Sequence, residues 1–112
     1  MTVEKTLTNT TASQAKDNVS DLKVWGDGDM FQLLCKASSQ AEGWMKSTKA
    51  MNIENGGVVV QVTTQQRNPD GSYSLAEAVT YVPNARVVTS ATDDAGNVTG
   101  RKIVGYVDLI DP

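Results

Sequence analysis

Turn signals that recur along the chain constrain its fold more than any other feature of its sequence. The clearest lies at residues 67–72, RNPDGS, where proline presets φ at one turn position and glycine accepts a positive φ at a later one. A β-branched run at residues 58–64 precedes this turn, and an alternating segment at residues 73–82 follows it until Pro83. The two segments predict a β-hairpin.

Two further hairpins are predicted on either side of this one. Toward the C-terminus, residues 86–92 and 100–109 flank the turn-like sequence DDAGN. Toward the N-terminus, the sequence GDGD at residues 26–29 is explained as a turn without any ligand, because glycine accepts positive φ and aspartate bonds its own backbone. Alternating apolar residues flank it, namely Leu22 and Val24 before the turn and Phe31, Leu33, Cys35 and Ala37 after it.

Residues 38–51, SSQAEGWMKSTKAM, have a pattern that fits two structures. A short helix beginning near Ser39 is predicted, because one helical face would collect Ala41, Trp44, Met45, Thr48 and Met51. In the alternative, residues 43–51 form another strand, with Trp44 projecting from a sheet.

The length and composition of the chain indicate one domain. It has 112 residues, of which 39% are hydrophobic, enough for one modest core. Residues 1–20 are rich in threonine and lack a sustained period, which predicts an extended N-terminal arm, and residues 21–112 are predicted to form a single β domain. Six or seven short strands at this spacing predict a mostly β fold: a small antiparallel β-sandwich, roll or partly open barrel with at most one short helix.

The chemical inventory argues against an enzyme. The chain has no histidine, which removes Ser-His-Asp and Cys-His arrangements together with the commonest metal ligand. Cys35 is the single cysteine, which excludes an internal disulfide and any multi-cysteine metal site. Its place beside Phe31 and Leu33 in the alternation predicts a small buried hydrophobe. We therefore expect no catalytic residues, no cofactor and no metal.

Charge and hydropathy exclude two further classes of partner. The net charge is −3, and the ten lysines and arginines are scattered without forming a stripe, so we expect no nucleic acid partner. The longest apolar runs are four or five residues, far below the ~20 that span a bilayer. No apolar segment typical of a secretion signal follows the N-terminus. These features favour an intracellular protein without a membrane segment.

Protein binding is the function class that remains, and aromatic and methionine residues are enriched at the centres of interfaces. The alternative is that the large apolar side chains simply fill the core. The candidate interaction residues are Leu7 in the arm and Trp25, Trp44, Met45, Met51, Tyr73 and Tyr81.

Glu77 is unusual because it stands between Leu75 and Val79 on an apolar strand face. It is expected to face solvent while the other face of the strand, Ala76, Ala78 and Val82, turns inward. The alternative is that Glu77 pairs with Arg67 or Arg86.

Two stretches, VWGDGDMFQLLCKASSQAEGWMKSTKAM and QVTTQQRNPDGSYSLAEAVTYVP, resemble small proteins of tailed bacteriophages that decorate or staple capsids. The resemblance rests on the size of the chain, on a threonine-rich arm before a β domain and on these two stretches, and it covers residues 22–83. The resemblance implies a structural protein on the outside of a virion, assembled in the host cytoplasm. Its partners would be the major capsid protein or another virion protein, and a homo-oligomer is compatible with this role. No functional residue is carried over.

This resemblance leads to the first functional hypothesis, a capsid decoration protein that stabilises the shell by binding major-capsid subunits, with the arm as a strap and exposed strand edges as pairing surfaces. The second hypothesis is a small intracellular binding protein, such as a phage-encoded inhibitor of a host factor. An enzyme that relies on carboxylates, lysine or tyrosine ranks third.

Overall fold

The computed structural model describes residues 11–54 and 56–105. Within these residues one short helix precedes six strands: α1 (Ala12–Asn18), β1 (Gln32–Ser39), β2 (Trp44–Asn52), β3 (Val58–Arg67), β4 (Tyr73–Val82), β5 (Ala85–Thr92) and β6 (Val98–Gly105). The strands form an antiparallel four-stranded sheet in the order β1-β2-β3-β4 and a separate β5-β6 hairpin. The mostly β fold predicted from the turn spacing is confirmed, in the form of two sheets and without a closed barrel.

The β3-β4 hairpin forms where the turn chemistry predicts it. The backbone N–H of Asn68 donates to the carbonyl of Ser72 at 2.6 Å, and Gly71 has a φ of 88°. The Asp70 carboxylate accepts bonds from the hydroxyl and the backbone N–H of Ser72, and these bonds hold the pKa of Asp70 below its usual value. The carboxylate therefore keeps its bonds at pH values where a free aspartate begins to protonate.

The β5-β6 hairpin repeats this arrangement and is also confirmed, up to the last described residue. The Asp93 carboxylate accepts bonds from the backbone N–H groups of Asn97 and Ala95, and the bonds to Asn97 lower the pKa of Asp93 most. Gly96 has a φ of 87°, a backbone conformation that glycine adopts without strain.

The prediction of a helix at residues 38–51 is wrong, and the alternative strand is correct. The chain reverses between β1 and β2, where Gly43 has a φ of 74° and its N–H donates to the carbonyl of Ser39 at 2.8 Å. β2 then pairs with both β1 and β3, so two ladders of backbone hydrogen bonds outweigh a helical face interrupted by glycine.

The prediction of a hairpin around residues 26–29 is wrong as well. Residues 22–24 do not belong to a strand, and β1 pairs with β2 instead. The turn is nevertheless real, because the Asp27 carboxylate accepts the backbone N–H of Asp29 at 2.9 Å. Asp29 in turn accepts the backbone N–H of Ala12 at 2.6 Å and so caps the start of α1. Residues 12–18 of the predicted extended arm are thus helical, and residues 1–10 lie outside the described part of the chain.

A β-bulge in β1 overturns the prediction that Cys35 is buried. Leu33 pairs with Lys49 and Cys35 pairs with Thr48, so Leu34 is an extra residue between them. Leu34 packs against the core, and Cys35 is exposed. The inserted residue shifts the alternation of the strand beyond it, which a regular pattern does not anticipate.

The core is small and lies at one end of the four-stranded sheet, under the β5-β6 hairpin. Its four buried apolar residues are joined by partly buried neighbours, and together they are Ala50, Val58, Ala85, Val87, Leu34, Val60, Val82 and Ile103. The other end of the sheet, residues 44–48, 62–67 and 73–78, is named the outer half here. The radius of gyration is 16.0 Å, against about 13 Å for a compact domain of roughly 100 residues. The outer half therefore projects from the core.

Side-chain bonds to backbone tie the β5-β6 hairpin to the larger sheet. The Asn52 amide donates to the carbonyl of Val87 at 3.3 Å and accepts its N–H at 2.8 Å, as a paired strand residue would. The Arg86 guanidinium donates to the carbonyl of Ile53 at 2.7 Å, and that of Arg101 donates to the carbonyl of Leu33 at 3.1 Å.

Replacing Asn52 with alanine is expected to lower the free energy of unfolding by about 1–3 kcal/mol, because the backbone N–H of buried Val87 loses its partner. Urea denaturation followed by circular dichroism measures this change. Asn97→Ala is the matched control, since the Asn97 amide donates to exposed Asp93, and its loss is expected to cost about 0.5 kcal/mol or less. Equal effects of the two substitutions would contradict the role of Asn52.

Candidate protein-binding surfaces

The predicted interaction residues do not form one patch. Trp25 lies in the loop between α1 and β1, Trp44 and Met45 begin β2 and are half-buried, and the two tyrosines occupy the ends of β4. Met51 lies half-buried near the end of β2, and Leu7 lies outside the described residues. The structure therefore defines two separate apolar surfaces, a loop and a strand.

The first surface is the segment of residues 22–31, named the Trp25 loop. The Trp25 side chain is 97% exposed, and Val24 and Met30 are 52% and 54% exposed. The loop is nevertheless held in place, because Asp27 and Asp29 bond the backbone as described above. A Cβ atom added to Gly28 would lie 2.9 Å from both Ala12 Cβ and Val24 Cγ1, so α1 packs closely on the loop. Trp25 is thus presented to solvent from an ordered support.

The second surface is the β4 face that carries Tyr73, Leu75, Val79 and Tyr81, named the apolar face of β4. Their exposed fractions are 36%, 64%, 59% and 49%, respectively. Leu75 and Val79 are absent from the interaction residues predicted from sequence. Their alternation with the tyrosines is visible there, but it does not say that the β5-β6 hairpin packs on the opposite face of the sheet.

Glu77 lies on the same face and is exposed, as predicted. Its carboxylate accepts bonds from Gln61 Nε2 at 2.7 Å and Thr63 Oγ1 at 3.2 Å, both on β3. Ala76 and Ala78 lie on the same face of β4 as Val82, but both are exposed, because the core lies at the other end of the sheet. Val82, at the core end of β4, does pack inward.

A shallow polar groove crosses the sheet beside Glu77. Its volume is about 220 Å³, and its lining residues are Leu33, Lys36, Met45, Ser47, Lys49, Gln61, Thr63 and Glu77. Partial burial, and secondly the charge of Lys49, lower the pKa of Lys36. The groove offers two cations, a carboxylate and amide and hydroxyl groups, which suit polar contacts with another molecule.

The described residues define a small two-sheet antiparallel β protein with an open sheet edge and an exposed tryptophan loop. The chain matches the family model described as the Lockin family over residues 2–104, and it belongs to that family. No curated protein and no solved structure matches the chain.

The described residues hold neither a cluster of metal-ligating side chains nor a membrane-spanning helix. No three His, Cys, Asp or Glu side chains within residues 11–54 and 56–105 are grouped so that they could hold a metal ion. No helix in that part of the chain is long and apolar enough to cross a membrane.

Proposed function

We propose that this protein is a virion structural protein of the capsid-decoration type, which binds the shell of a tailed bacteriophage without a chemical step. The observation that carries the proposal is the Trp25 loop, which presents a 97% exposed tryptophan from a backbone held by its own hydrogen bonds. A large, rigid aromatic side chain on an ordered loop loses little conformational entropy when it is buried at an interface.

The thin core supports the same proposal. A protein whose buried apolar side chains cluster at one end of a projecting sheet leaves much of its surface available for contacts with neighbours. A decoration protein acts through such contacts, repeated over many equivalent sites of a shell, so each individual contact needs only modest affinity.

Trp25→Ala is expected to weaken binding to shells of the major capsid protein at least roughly thirtyfold, the effect of losing a central aromatic anchor. Cosedimentation with shells assembled from the capsid protein of the encoding phage measures the affinity. Val98→Ala, a truncation of an exposed apolar residue on β6, is the matched control and should change it little. The proposal would be contradicted if the unmodified chain did not bind shells, or if Trp25→Ala bound them as tightly as the unmodified chain.

A further inference from the structure

Of the two edges of the four-stranded sheet, the outward edge of β4 is the less protected. β4 pairs with β3 through ten consecutive residues without a bulge, and no proline or lysine interrupts it. The opposite edge of the sheet, β1, carries a bulge and the half-buried Lys36, and Arg101 bonds to its backbone at Leu33. Bulges and lysines are the usual means by which proteins block pairing between edges, so β1 is protected and β4 is not.

Residues 73–81 of β4, YSLAEAVTY, read nearly the same in both directions. Around Glu77 the chemically matched positions are Ala76 with Ala78, Leu75 with Val79, Ser74 with Thr80 and Tyr73 with Tyr81. An antiparallel strand pair places residues directly opposite each other when their numbers have a constant sum. The palindrome therefore makes β4 complementary to a second copy of itself.

We propose that two copies of this chain pair antiparallel through β4, with a two-fold axis at Glu77, and form one eight-stranded sheet. In this register aliphatic residues meet aliphatic ones, and each Tyr73 meets the other copy's Tyr81. The two-fold axis also keeps corresponding faces together, so the two apolar faces of β4 become continuous. Cross-strand aromatic and aliphatic pairs of this kind stabilise antiparallel sheets.

The self-pairing opposes two Glu77 carboxylates at the axis, which weakens it. The bonds from Gln61 and Thr63 draw each carboxylate toward β3 and away from the axis, which reduces the repulsion. Glu77→Gln is therefore expected to tighten the dimer roughly two- to fivefold, and added salt should tighten the unmodified dimer.

Size-exclusion chromatography with light scattering on the full chain tests the pairing. Over a range of about 1–500 µM we expect the mass to rise from that of one chain to that of two, as for a small interface. Val79→Lys should keep the protein monomeric, whereas Val98→Lys, the same change at an exposed residue of the other sheet, should dimerise normally. Circular dichroism checks that both variants fold. A monomer at every concentration, or a dimer unaffected by Val79→Lys, overturns the proposal.

Engineered cysteines test the register. In a Cys35→Ser background, Glu77→Cys places two thiols directly opposite each other, with Cα atoms about 5 Å apart, and mild oxidation should give a covalent dimer. Ala76→Cys should not, because the two copies of residue 76 are offset along the strands and lie about 8 Å apart. The unmodified chain, whose exposed Cys35 lies on the opposite edge of the sheet, is a further control. Equal cross-linking of both variants, or none by Glu77→Cys, overturns the register.

The pairing surface is β4, whereas the Trp25 loop leads into β1, the strand at the opposite edge of the four-stranded sheet. Trp25→Ala is accordingly expected to dimerise like the unmodified chain. Loss of shell binding and loss of pairing are therefore separate results, and either can occur without the other.

Discussion

Replacing Val58 with alanine is expected to lower the free energy of unfolding by roughly 2–3 kcal/mol and the melting temperature by roughly 10 °C. Val58 is completely buried, and it is one of only four buried apolar residues in the part of the chain that the structure describes. Removal of two methyl groups leaves a cavity that strands on both sides prevent from closing, since β3 pairs with β2 and β4 at this position. Thermal and urea denaturation measure the loss.

Val62→Ala is the matched control for this substitution. Val62 lies four residues along β3 on the same face of the sheet, but it is 43% exposed because it belongs to the outer half. Its truncation is expected to change the free energy of unfolding by about 0.5 kcal/mol or less. If both substitutions cost the same, the core is not confined to one end of the sheet.

The second large effect is expected for Gly43→Ala, which should lower the free energy of unfolding by roughly 2–3 kcal/mol. The φ of 74° is strained for alanine, and the added Cβ would lie 2.8 Å from Arg67 Cβ and 2.9 Å from Arg67 Nε. Relief of that overlap moves Arg67, whose backbone N–H donates to the carbonyl of Gly43 and whose guanidinium bonds the carbonyls of Gln40 and Ala41.

Gly71→Ala separates the backbone strain from the overlap with Arg67. Gly71 has a φ of 88°, but nothing lies within 4 Å of an added Cβ. Its substitution is therefore expected to cost only the backbone strain, about 1 kcal/mol. Urea denaturation of both variants gives their free energies of unfolding, and the difference between them reports the cost of the contact with Arg67. A Gly71→Ala variant as unstable as Gly43→Ala would show that this contact has no energetic role.

Local turn chemistry explains where prediction from the sequence succeeds. Residues 68–72 and 93–97 contain aspartates that bond the backbone of their own turn, and each glycine takes the positive φ that the turn requires. Because these preferences act over a few residues, β3 to β6 follow from them directly. For the N-terminal third, prediction from the sequence fails for the opposite reason. The aspartates at 27 and 29 make an equally good turn, but one of them caps α1, a partner distant in sequence.

Burial is the property that alternation predicts least well. Leu34 packs against the core and Cys35 is exposed, because a bulge shifts the register of β1 between Leu33 and Cys35. Leu75 and Val79 alternate like core residues but are exposed, since they lie on the face of β4 opposite Val82, and the β5-β6 hairpin packs on the Val82 face. Neither strand order nor the position of a covering layer is encoded in a strand's own pattern.

By itself, the sequence determined the β class, the turns and the extents of β4 and β5, together with the near-palindrome of residues 73–81. Each of these depends on backbone preferences or side-chain order within about ten residues. Only the tertiary structure decided which side chains are buried, that β4 lies at an open edge and that Trp25 projects from a fixed loop. These features depend on which strands become neighbours, because a side chain is buried only when another part of the chain covers it.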